Sequence, residues 1–178
     1  MSFLIALSVA SASVVAPIDD HRAADAVEVF SRLCVGLFVG EASDLDATKF
    51  KSTKLRPDTV ARIKPNLVEQ DVWDVTGKSS NVRMLVHYDP AGMCVVEVAA
   101  ADETSLRKTY EEMIEKISRN FDKPPKVEPD QTKEIGNNKT TTSIWEFDGS
   151  SQNILFAITT YPEPKFMIQH VMTINYTD

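Results

Sequence analysis

Ala23, Ala26, Val27, Phe30, Leu33, Cys34, Leu37 and Phe38 recur at helical spacing. That period predicts an amphipathic helix over residues 20–39, with its apolar stripe turned to a core. Asp19 or Asp20 can cap its start and Gly40 can end it. Residues 41–70 carry no clean period, although Pro57-Asp58 can open a short helix that Pro65 stops. Alternation then takes over. A short strand is expected at 72–75, followed by a strand at 82–88 with Val82, Met84, Val86 and Tyr88 on one face. Asp89-Pro90-Ala91-Gly92 reads as a turn, and Cys94, Val96 and Val98 share a face of the next strand.

A second helix is expected over 102–121, capped by Asp102 and striped by Leu106, Tyr110, Met113, Ile114, Ile117 and Phe121. Glu112–Lys116 and Glu115–Arg119 are correctly ordered pairs for its wet face. Residues 122–138 read as a Pro- and Lys-rich connecting loop, because Pro124, Pro125 and Pro129 oppose regular structure. Strands at 140–147, 154–161 and 166–176 complete the chain, with turns at Asp148-Gly149 and Pro162/Pro164. The expected class is α+β: an antiparallel sheet of about six strands with two main helices on one face. The other face is then partly open and needs a polar, covered or partner-bound surface.

The order helix–three strands occurs twice, and VWDVTGKSSNV (72–82) lies over IWEFDGSSQNI (144–154) without a gap. Trp73 meets Trp145, Gly77 meets Gly149 and Asn81 meets Asn153; farther on Val86 meets Ile158. Two explanations stand: a tandem α-β-β-β duplication with units 19–100 and 101–178, or convergent hairpin grammar, since turns use Gly, Ser and Asn anyway.

Residues 1–18 hold no charge, and Ala10-Ser11-Ala12 has the small-x-small form of a signal-peptidase site, though no basic region precedes the apolar run. The expectation is an export segment at 1–18 and a single domain at 19–178; the alternative is a buried N-terminal segment. The two cysteines, Cys34 and Cys94, extend that choice. In an oxidising compartment they would form one disulfide, worth about 4 kcal/mol in the chain-entropy model. In a reducing one they would be core thiols.

The 178 residues carry a net charge of −7, which disfavours nucleic-acid binding. No integral membrane segment is expected after residue 18. Zinc spacing, a calcium loop and a nucleophile elbow are absent from the sequence, so no metal, cofactor or catalytic residue is assigned. His87 lies on a strand face with Arg83 and Leu85, and His170 lies in an apolar row with Phe166, Ile168, Met172 and Ile174. Each is a pocket candidate, against the plainer reading of a satisfied buried histidine. Trp73 and Trp145 are candidates to line a pocket or interface, against the plainer reading of core anchors.

FSRLCVGLF (30–38), GMCVVEV (92–98) and ADETSLRKTYEEM (101–113) together resemble a group of small exported two-cysteine proteins of Gram-negative bacteria. The resemblance implies a periplasmic or secreted location and a disulfide, and implies no activity, because the function of that group is unknown. At fold level, tandem helix-plus-sheet repeats also resemble secreted proteinaceous enzyme inhibitors. The expected function is a non-catalytic exported module that binds another protein through its sheet face or loops. Two alternatives stand beside it: a small-ligand-binding protein or enzyme with a helix–sheet cleft, and a cytosolic acidic chaperone-like domain. An exposed apolar patch on the helix-free face would favour the first. A cleft holding His87 or His170 near a carboxylate would favour the second.

Overall fold

The computed structural model describes residues 21–38, 44–89, 92–135, 138–149, 152–165 and 168–177. The expected export segment and the caps Asp19, Asp20 and Gly40 lie outside the described residues. The first helix comprises α1 (His21–Val29), a π-helical stretch (Phe30–Val35) and α2 (Gly36–Phe38). Then come β1 (Phe50–Lys54), α3 (Pro57–Ile63), a 3-10 turn (Pro65–Leu67), β2 (Asp71–Gly77), β3 (Arg83–Asp89) and β4 (Met93–Val98). The second half runs α4 (Glu103–Ser118), β5 (Lys126–Ile135), β6 (Asn138–Phe147), β7 (Asn153–Lys165) and β8 (Ile168–Thr177).

The α+β class agrees with the sequence, but the sheet has eight strands, in the order β1-β2-β3-β4-β8-β7-β6-β5. All its pairings are antiparallel. Each half contributes four consecutive strands, and the halves meet at β4 and β8. The two strands beyond the expected six are the edges. β1 shows a single buried position, Phe50, so it lacks the alternation that marks a strand. β5 occupies the segment expected to be a loop. Its Pro129 sits where the pairing with β6 shifts between Glu128 and Gln131, and an edge strand at a bulge tolerates a residue without an N–H. β7 likewise runs through Pro162 and Pro164, the positions read as a turn, and its register with β8 shifts between Thr160 and Lys165.

The first helix and α4 pack together on one face, over the buried side chains of alternate strand positions. An aromatic chain ties the layers together. Phe30 meets Tyr110 at 5.5 Å, Tyr110 meets Trp145 at 5.6 Å, and Phe147 meets Phe156 at 5.5 Å between centroids. The Tyr110 hydroxyl donates to the Ala157 carbonyl at 3.2 Å, and complete burial pushes its ionisation well above the usual tyrosine value. Asp102 caps α4 by accepting from the Ser105 amide at 2.8 Å. Cys34 and Cys94 form a disulfide.

Among the described residues, the opposite sheet face is covered at one end only. Val60 of α3 and Leu67 of the 3-10 turn pack on Val72, with Leu55 and Leu85 at the margin. We call this segment, residues 57–70, the cap. Away from it, Leu155, Ala157, Val171 and Thr173 are half-buried; among the described residues the exposed large apolar side chains are Ile63 and Val68, in the cap itself, with Leu37, Val127 and Tyr176. Among the described residues no helix is long and apolar enough to cross a membrane.

Candidate functional site

Three local features build a cleft at the end of the first helix. The first is the π-helical stretch. Its wider turns, closed by bonds such as Gly36 N–H to the Ser31 carbonyl, rotate later residues away from a 3.6-residue stripe. Cys34 and Val35 stay buried, while Leu37 is 46% exposed and not in the core as its spacing predicts. The second is the disulfide, which holds the π-helical stretch against β4 with the Cα atoms of Cys34 and Cys94 5.4 Å apart. The third is the edge strand. Past Phe50, the positions of β1 that face the helix layer are Ser52, opposite Val75, and Lys54, opposite Trp73. A small and a charged residue stand where apolar side chains would fill the layer.

The resulting cleft has a volume of about 460 Å³ and is lined by Leu33, Leu37, Asp44, Leu45, Ser52, Trp73, Val86, Tyr88 and Cys94. Its walls are apolar and aromatic, with Asp44, Ser52 and Tyr88 as polar groups. Lys54 Nζ lies 5.5 Å from the centre of the Trp73 ring and 2.6 Å from Asp71 Oδ1. Asp46, just beyond the cleft, accepts from the Thr48 hydroxyl at 2.7 Å and the Thr48 amide at 2.8 Å. Those bonds hold its carboxyl below the ordinary value. Asp46 thus opens the turn at 47–49 that leads into β1, and among the described residues no group of three or more His, Cys, Asp and Glu could hold a metal ion.

The chain matches no protein-family model, no curated protein and no solved structure. Its functional reading therefore rests on its own residues.

Of the four candidate side chains, the structure places one in the cleft. Trp73 lines it. Trp145 is 8% exposed and packed on Tyr110 beneath α4. His170 is fully buried, and its Nε2 lies 3.0 Å from the Ala101 carbonyl, which ties β8 to the segment leading into α4. The hairpins that carry the tryptophans differ in register. Trp73 pairs with Val86, whereas Trp145 pairs with Phe156 rather than Ile158. The gap-free match therefore ends at the turns, two residues out of step but with the same faces inward.

His87 lies on the other side of the sheet, under the cap. Its Nδ1 is 2.9 Å from Gln70 Oε1, and Gln70 Nε2 donates to Asp89 Oδ2 at 3.2 Å. Its Nε2 faces Glu97 Oε1 at 3.7 Å, while Lys64 Nζ donates to the same oxygen at 2.9 Å. Burial opposes the charge on Glu97, but the His87 ring facing it and the hydrogen bond and charge of Lys64 outweigh that and hold the carboxyl below the ordinary value. Lys64 is the firmer partner, because 3.7 Å is an ion-pair distance rather than a hydrogen bond. A histidine does meet a carboxylate, as one of the expectations required, but the pair is sealed under the cap and shares no wall with the cleft. Glu97, Gln70 and Lys64 were not picked out from sequence. The available signal was Glu97 itself, a charge inside the otherwise apolar run MCVVEV.

Proposed function

We propose that this protein is a non-catalytic, exported binding module that takes an apolar group of its partner into the cleft beside Trp73. The single observation carrying this reading is the cleft: about 460 Å³, walled by Leu33, Leu37, Leu45, Trp73 and Tyr88. Pockets of roughly 300–1,000 Å³ with apolar and aromatic walls and a few polar groups are typical of binding sites. On the helix-free face Leu155, Ala157, Val171 and Thr173 are half-buried, and the cleft, with its apolar and aromatic walls, is preferred to that face as the binding surface. The disulfide supports an oxidising compartment. A partner's aromatic or aliphatic side chain would be the anchor, with the rest of the contact spread over Leu37 and the rim.

A second reading is favoured by the same dimensions: a free small apolar molecule as the ligand. Fluorescence titration with anilinonaphthalene sulfonate tests the site, comparing the natural chain with Leu37→Asp. Saturable binding weakened at least about tenfold by L37D, a loss of about 1.4 kcal/mol, supports the cleft. Absent binding, or binding unchanged in the variant, overturns it. Native mass spectrometry of protein purified from its own cell then separates the two readings. A co-purified species of a few hundred daltons marks a small-molecule carrier, and a clean protein mass or a protein complex marks the partner-binding module.

A further inference from the structure

We propose that His87 is a protonation-controlled clasp that fastens the cap, residues 57–70, to the helix-free face of the sheet. The cap's apolar hold is small: Val60 and Leu67 on Val72, with Leu55 and Leu85 beside them. Among the described residues, its side-chain hydrogen bonds to the sheet run through Lys64 to Glu97 and through Gln70 to His87 and Asp89. Asp89 can only accept when ionised, so the Gln70 amide nitrogen must face it. Gln70 Oε1 is then directed at His87 Nδ1, and that nitrogen carries a hydrogen. The tautomer is fixed by a chain that starts at Asp89.

What remains is His87 Nε2. It is buried, in a residue only 5% exposed, has no hydrogen-bond partner, and faces the Glu97 carboxylate at 3.7 Å. In the neutral ring a lone pair points at an anion in a poorly solvated site, which is repulsive. In the imidazolium an N–H points there, and the unpartnered Glu97 Oε2 offers a second acceptor. One proton therefore changes the sign of the contact that joins the cap's polar chain to β4.

Among the described residues, the charged groups around the ring are few. Glu97 faces it from β4, Lys64 from the cap, and Asp89 acts from β3 through Gln70. Asp74 of β2 and Arg83 of β3 lie farther along the same strands and pair with each other at 3.4 Å. Lys64 competes with a charged His87 for Glu97 Oε1, which weakens the effect without reversing it, because the carboxylate has two oxygens and Lys64 is 30% exposed to water. The cap is accordingly tightest when His87 is charged and Glu97 ionised. It loosens as pH rises and the ring loses its proton, baring Val72 and Leu85 beneath.

Hydrogen–deuterium exchange tests this. The reporters are the cap amides of Lys64, Leu67 and Gln70, which bond within the cap, with Leu106 of α4 as the control. Exchange is corrected for its intrinsic pH dependence and set beside the His87 ring titration followed by NMR. The expected result is at least a fivefold loss of cap protection centred on the ring titration, with Leu106 unchanged, and no such step in Glu97→Gln. Flat cap protection across the titration, a step that persists in His87→Gln, or a ring that stays in one protonation state while the protein is folded each overturns the proposal. The wild-type profile decides alone should a variant fail to fold. The cleft lies on the other side of the sheet, so this outcome is independent of the cleft's.

Discussion

Trp73 and Trp145 hold matching places on the first strands of two hairpins, yet Trp73 lines an open cleft and Trp145 is sealed against Tyr110. The difference originates on their neighbours. Trp145 lies under α4, whose Tyr110 fills the space above it, whereas Trp73 lies beside β1, which offers Ser52 and Lys54. Trp145→Ala should therefore cost about 3–5 kcal/mol of unfolding free energy, as for a buried aromatic, and Trp73→Ala clearly less. Urea melts of the two variants provide the comparison; an equal loss would place both rings in the core.

Filling the cleft is predicted to stabilise the fold while removing binding. Ser52→Leu puts an apolar side chain toward Val75 and Trp73 and should raise the thermal midpoint by a few degrees, in line with a gain of about 1 kcal/mol. It should also abolish probe binding. A lowered midpoint would mean that the space beside Ser52 is too tight for the added atoms.

Removing the disulfide separates its two roles. Replacing both Cys34 and Cys94 by alanine should lower stability by about 2–5 kcal/mol, read by denaturant titration. Because the bond anchors the π-helical stretch to β4, binding in the cleft should weaken even under conditions where the variant stays folded. Full binding in a folded double variant would show that the cleft is shaped by packing alone.

Glu97 gives a signed pH prediction. Its carboxyl is held below 4.5 in the folded chain, so its ionised form stabilises the fold above that value, and the contribution is lost as pH falls through the lower folded value. Wild type should exceed Glu97→Gln in urea midpoint near pH ~6, and the gap should close toward pH ~3. A gap that is constant across that range would contradict the ion-pair account.

Legibility in the sequence followed the strength of local signals. α4 has a clean apolar period and a capping Asp102 that accepts from Ser105, so its position could be read directly. Cys34 and Cys94 each fell on inward faces, and they are bonded. β5 could not be read, because Pro129 and its charged neighbours describe a loop until β6 supplies a partner and the bulge absorbs the proline. The cleft was hidden for a different reason. A 3.6-residue period places Leu37 in the core, and only the π-helical stretch turns it outward. His87 and Glu97 meet through the pairing of β3 with β4 and the descent of the cap, neither of which a residue pattern on one strand contains.

The cleft's role is tested most directly by mapping a bound apolar probe on the amide NMR spectrum of the folded chain. Anilinonaphthalene sulfonate should shift the amides of Leu33, Leu45, Ser52, Val86 and Tyr88 together, saturating at one equivalent. Shifts gathered instead at Ala157, Val171 and Thr173 would move the binding surface to the helix-free face and contradict the account.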